Sequence, residues 1–157
     1  MVHEPDPADT RGRRLLAAVA ALSAVYDLVL GTAMLAGRAF LAALFAVPPP
    51  LPAIHADLNG LFLIAIGIGY VLPLRDPDRY RGYLWVMGPF LKGIGALAFV
   101  LDYFLRGSPA AYLLFAVSDG SLAGLTLWAL WRTSPPRFTR QQAVTGERPG
   151  RAECRPG

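Results

Sequence analysis

The sequence predicts an all-α, transmembrane four-helix bundle with both termini on the cytoplasmic side, and three observations carry that expectation. Hydrophobic residues make up 54% of the 157 and charged residues only 17%, with a mean hydropathy of +0.40. A soluble domain carries roughly 25% charged residues. The apolar residues are bunched into four stretches, each near the ~20 residues that cross ~30 Å of hydrocarbon. Twelve arginines flank one predicted side of those stretches and two flank the other, the bias that marks cytoplasmic loops.

The first span is expected at about 15–37, after a cytoplasmic segment, 1–14, that carries Arg11, Arg13 and Arg14. The basic start and the alanine run also suit a cleaved secretory signal. The apolar run continues past any cleavage point, through Tyr26 and Asp27 to Gly37, so an uncleaved span is the expectation. Residues 15–46 are too long for one straight crossing, about 48 Å at 1.5 Å per residue. Gly37-Arg38 is the natural break, because a charge prefers the interface. Residues 39–47 then form a short apolar helix, and Pro48, Pro49, Pro50 and Pro52 an extended path towards the second span. The 39–56 segment is either a plain surface loop or a lid across the outer mouth.

The second span is expected at about 58–74, the third at about 83–105 and the fourth at about 110–131. Between the second and third, Arg75-Asp76-Pro77-Asp78-Arg79-Tyr80-Arg81 reads as a compact cytoplasmic turn. Tyr80, Tyr83, Trp85, Trp128 and Trp131 collect on the same side, at the headgroup level that amphipathic rings favour. Residues 132–157, rich in Pro, Arg, Gly and Gln, are expected to form a disordered cytoplasmic tail. The location implied is the inner (plasma) membrane, crossed four times.

Several function classes are disfavoured by the residues themselves. Cys154 is the only cysteine, which leaves no intrachain disulfide and no thiolate cluster. His3 and His55 are too few and too far apart to suggest a metal site by spacing. The basic residues are split among membrane-flanking segments instead of forming one aromatic-studded surface, so no nucleic-acid partner is expected. Gly67-Ile68-Gly69-Tyr70 resembles the start of a dinucleotide loop, but it lies in a span with no preceding strand. No nucleophile, metalloprotease or phosphate-loop motif is present, and no cofactor is expected. The expected partners are the lipid bilayer and a membrane-protein partner or a second copy.

Ionisable residues inside the spans are the remaining signal. Counted from the cytoplasmic ends, Asp27 and Asp119 lie at about 19 Å and Lys92 at about 15 Å. Each belongs to a stripe with alternating spacings of four and three. These are Ala20, Ala24, Asp27, Gly31, Met34 and Arg38; Gly88, Lys92, Gly95, Phe99, Asp102 and Arg106; and Tyr112, Ala116, Asp119, Ala123, Thr126 and Leu130. Small residues on such a stripe let helices approach closely in lipid, so the charged groups are expected to face one another.

A mid-membrane cluster of Asp27, Lys92 and Asp119 is therefore predicted, with Tyr26, Ser118 and Tyr70 as candidate sources of hydroxyls. One lysine cannot neutralise two carboxylates, so one aspartate is expected to hold a proton part of the time. A second polar layer, nearer the outer face, comprises Asn59, Asp102, Asp57, His55 and Arg38. The inner cluster is either glue that sets helix register or a site that handles protons or a ligand. Pro89, one turn before Lys92, is expected to kink the third span and free the Trp85 carbonyl.

The series Tyr26-Asp27, Gly31, Asn59, Gly67-x-Gly69-Tyr70, Arg75-Asp76-Pro77, Lys92 and Asp119 resembles a group of small bacterial four-span membrane proteins without assigned function. More remotely, it is similar to the DoxX-like four-helix proteins, some of which are membrane subunits of quinone-linked oxidoreductases. The resemblance implies the architecture and no activity. Where this chain has Asp27 the pattern commonly has an amide, which gives Lys92–Asp119 the greater weight of the two pairs. Three functions remain open: a non-catalytic membrane component or accessory subunit, a small proton-linked transporter acting as a homodimer, and a membrane subunit of a quinone-linked oxidoreductase.

Overall fold

Four helical stretches, Thr10–Ala36, Ile54–Arg75, Arg81–Arg106 and Ala110–Arg132, are long and apolar enough to cross a membrane, and they pack into one all-α bundle. The computed structural model describes residues 7–49 and 51–133. The first residues of the expected N-terminal segment and the tail expected to be disordered, from 134 on, lie outside the described residues.

Helix α1 spans Pro7–Ala36 and begins well ahead of the apolar run. Proline is tolerated in a first turn, where its missing N–H has no partner to lose, and arginine is a good helix former in water or headgroups. Hydrophobicity therefore marks the buried length of this helix and not its start. After Gly37 the chain enters the short helix α2, Arg38–Leu44. Span two is α3, Ile54–Gly69, followed across Tyr70 by α4, Val71–Arg75. Pro73 accounts for that interruption: it cannot donate to the Gly69 carbonyl, and its ring crowds that oxygen.

Span three comprises α5, Arg81–Trp85, a π-helical segment, Val86–Lys92, and α6, Gly93–Arg106. Gly107 follows in the left-handed conformation, φ 68°, which glycine adopts without a Cβ penalty. A 3₁₀ turn, Ala110–Tyr112, leads into α7, Leu113–Arg132.

Span one packs chiefly on span two and also on span four, and span four packs on span three. Both ends of the described chain lie together at what is here termed the terminal end. There Arg13 Nε is 3.1 Å from Asp78 Oδ2 in the turn between spans two and three. Arg81 donates to the Leu130 carbonyl and, at 3.1 Å, to Thr133 Oγ1. That places a cation on the unpaired carbonyls ending α7, which also suits the helix dipole. The core of the terminal half is apolar: Leu16, Ala20, Leu84, Ala129 and Leu130 are buried around Tyr70. Tyr83 stands edge-on to Tyr70, centroids 5.4 Å apart, and donates to the Ile66 carbonyl at 3.0 Å.

The glycines suggestive of a nucleotide loop are packing devices. A Cβ on Gly67 would meet Leu28 Cγ at 2.8 Å, and one on Gly69 would strike the Tyr83 ring.

Candidate functional site

Three spans each bring one ionisable side chain to the bundle axis. Lys92 Nζ donates to Asp27 Oδ1 at 2.6 Å and to Asp119 Oδ1 at 3.5 Å. The side chains are 5%, 0% and 20% exposed respectively. Lys92 closes the π-helical segment around Pro89. Proline has no N–H to donate to the carbonyl one turn back, and the wider turn re-sets the register of everything after it. The kink anticipated there is thus a π turn, and it delivers Lys92 inwards. On α1, Ala20, Ala24, Asp27 and Gly31 are all buried, as are Ala116, Ala123, Thr126 and Leu130 on α7. The small-residue stripes are the contact faces.

Tyr26 and Ser118 flank the cluster. Ser118 Oγ donates to the Phe115 carbonyl at 3.1 Å, so the Tyr26 hydroxyl is the donor in the 2.7 Å contact between the two. Lys92 Nζ also lies 4.8 Å from the Tyr26 ring centroid, within the range of a cation–π attraction. Ser23 Oγ, Asp27 Oδ2 and the Tyr70 hydroxyl are buried with no hydrogen-bond partner among the described residues. The sequence expectation weights Lys92–Asp119, whereas the geometry gives the shorter and more enclosed contact to Asp27.

Asp119 differs from Asp27 because it borders a cavity of about 480 Å³ in the half of the bundle away from the termini. Its walls include Leu30 and Met34 of α1, Leu63 of α3, Phe99 of α6 and Phe115 of α7. The roof comes from α2 and the residues after it: Leu41, Ala42, Phe45, Val47 and Pro48. Phe45 sits on Phe115 with centroids 5.1 Å apart, and Phe115 lies 5.5 Å from Phe99. The 39–56 segment therefore forms part of a cavity wall. Sequence reasoning missed Phe45 and Phe115; the interruption of a small-residue stripe by Phe99 was the available signal.

The residues grouped by depth as an outer layer divide in two. Arg38, His55 and Asn59 line the cavity, and Arg38 Nη1 pairs with Asp57 Oδ1 at 2.8 Å and donates to the Ala53 carbonyl at 3.3 Å. Asp102 stands apart from them. Its partners are Arg106, at 3.0 Å, and the Ser108 hydroxyl, both beside the end of its own span. Equal depth is shared by every face of a helix, and Asp102 turns to the cation one turn ahead of it. Among the described residues no group of three or more His, Cys, Asp or Glu is arranged to hold a metal ion.

Fold and site together define a four-helix bundle of membrane-crossing length with a buried ionic centre beside a cavity. Comparison of the chain with protein-family models, curated proteins and solved structures gave no match.

Proposed function

We propose that this protein is a non-catalytic component of the inner (plasma) membrane, crossing it four times with both termini cytoplasmic, and that it holds a small lipophilic molecule in the cavity above its ionic cluster. The observation that carries this reading is the asymmetry of the bundle. The far half contains a cavity of about 480 Å³ ending on Asp119, within the ~300–1,000 Å³ typical of small-molecule sites. The terminal half is filled by Leu16, Leu84, Leu130 and Tyr70. Proton-linked transport by a dimer would need a route through that apolar plug, so a binding role fits this conformation better.

The orientation rests on the arginines at the terminal end. Arg11, Arg13, Arg14, Arg75, Arg79, Arg81 and Arg132 gather there, and such charges favour the cytoplasmic side. Exposed Trp85, Trp128 and Trp131 near the same end support a headgroup level. A reporter active only in the cytoplasm should work when fused after Arg132 and fail when inserted at Ser108. The opposite pattern would reverse the proposed orientation.

Ligand binding is tested by thermal unfolding of the purified protein with a panel of small lipophilic molecules. A ligand at 100 times its Kd should stabilise the fold by about 2.7 kcal/mol. Ala42→Trp, which fills the cavity from its roof, should remove that gain. A panel without effect on the wild type, or gains that Ala42→Trp leaves intact, would count against the cavity as the binding site.

A further inference from the structure

We propose that the cavity selects a lipophilic cation, an amine or quaternary ammonium on an apolar or aromatic body, with the Asp119 carboxylate as its counter-ion. This deepens the ligand-binding reading above and rests on it. The first argument is charge stoichiometry. The centre holds one lysine and two aspartates, and Asp27, wholly enclosed, takes the short contact at 2.6 Å. Asp119 keeps the longer one, at 3.5 Å, and is the carboxylate that borders the cavity. The floor of the cavity is therefore acidic in excess of its local cation.

The mouth does not reverse that sign. Arg38, which lines the cavity together with His55, is already bound to Asp57 at 2.8 Å. An anionic ligand would meet a carboxylate that has only a share of one lysine, and a guanidinium already paired with Asp57. A neutral apolar ligand would strip water from Asp119 and give nothing in return, which is costly for a carboxylate. A cation gains the carboxylate and also the neighbourhood of Phe45, Phe99 and Phe115, three aromatic rings that line the cavity and whose quadrupoles attract positive charge. The remaining walls, Leu30, Met34 and Leu63 among them, suit an alkyl or aromatic body.

The test uses the full-length protein in nanodiscs of neutral lipid and two probes of the same shape. One is phenylbutyl-trimethylammonium; the other is its neutral isostere, with tert-butyl in place of trimethylammonium. Equilibrium dialysis, corrected with empty nanodiscs, reads both affinities. The wild type should prefer the cation by about tenfold or more, the scale of a desolvated charge-assisted contact. Asp119→Asn should abolish the preference and Asp119→Glu should keep it, while Ala42→Trp should lose both probes. Equal binding of the two probes by the wild type overturns the assignment of a cation yet leaves a ligand-binding cavity standing. Binding of neither probe by a thermally intact protein overturns both. A preference that survives in folded Asp119→Asn overturns the role of Asp119; should that variant not fold, the wild-type ratio of cation to isostere still decides.

Discussion

Lys92→Met is expected to destabilise the protein by about 3–5 kcal/mol, because it leaves buried carboxylates without their cation. Lys92 Nζ lies 2.6 Å from Asp27 Oδ1 and 3.5 Å from Asp119 Oδ1. Asp27 has no exposure to solvent, and its second oxygen already lacks a partner. Water cannot reach it to compensate. The two-site variants separate the partners. Lys92→Met with Asp27→Leu should recover most of the loss, since exchanging a buried ion pair for apolar groups of similar volume is often near neutral. Lys92→Met with Asp119→Leu should stay defective, because the fully enclosed carboxylate is still stranded. Thermal unfolding in detergent and the yield of monodisperse protein read all three. If Lys92→Met unfolds with the wild type, the ionic centre contributes nothing to the fold.

Much of this arrangement was legible in the sequence because two simple rules act on it. The 3.6-residue period sorted Ala20, Ala24, Asp27 and Gly31 onto one face, and that face is buried. Rise per residue put Asp27, Lys92 and Asp119 at similar depth, and their charged atoms meet. Where these rules mislead, a tertiary cause is visible. Depth alone grouped Asp102 with Asp57, but Asp102 satisfies itself locally with Arg106 and Ser108. The apolar run marks hydrocarbon length and not helix length, so the helix extends back to Pro7, since the arginine-bearing turns need no hydrocarbon around them. Pro89 announced a distortion without its form, because a kink and a π turn share the same lost hydrogen bond. The lid alternative for 39–56 anticipated an outer mouth but not the walls of the cavity, where Phe45, just after α2, meets Phe115, a pairing that no periodicity encodes.

Gly31→Ala is expected to cost about 1–3 kcal/mol, the scale of overpacking a close contact, with Gly60→Ala similar. The two glycines face each other where α1 crosses α3. A Cβ on Gly31 would lie 2.7 Å from the Gly60 carbonyl oxygen and 3.0 Å from the Ile64 nitrogen. A Cβ on Gly60 would lie 2.9 Å from the Gly31 carbonyl oxygen. The obstacles are backbone atoms in hydrogen-bonded helices, which cannot turn aside as a side chain can, so the helices must part. Close backbone approach at small residues is a main source of helix association in lipid, and parting forfeits it.

The same separation should reach the cavity. Leu30 and Met34 flank Gly31 on α1, Asn59 and Leu63 flank Gly60 on α3, and all four line it. Gly31→Ala is therefore expected to weaken ligand binding as well as the fold. Gly124→Ala supplies the contrast. A Cβ there meets nothing within 4 Å, and α7 should gain about 0.5–1 kcal/mol from a better helix former. Thermal unfolding of the three variants side by side is the measurement. Equal shifts for Gly31→Ala and Gly124→Ala would mean that the α1–α3 crossing tolerates an extra methyl, and that its tightness is not what positions the cavity walls. Because Gly31 and Gly60 oppose each other, one parting of the helices relieves both clashes, so the double variant should cost less than the sum of the two single changes.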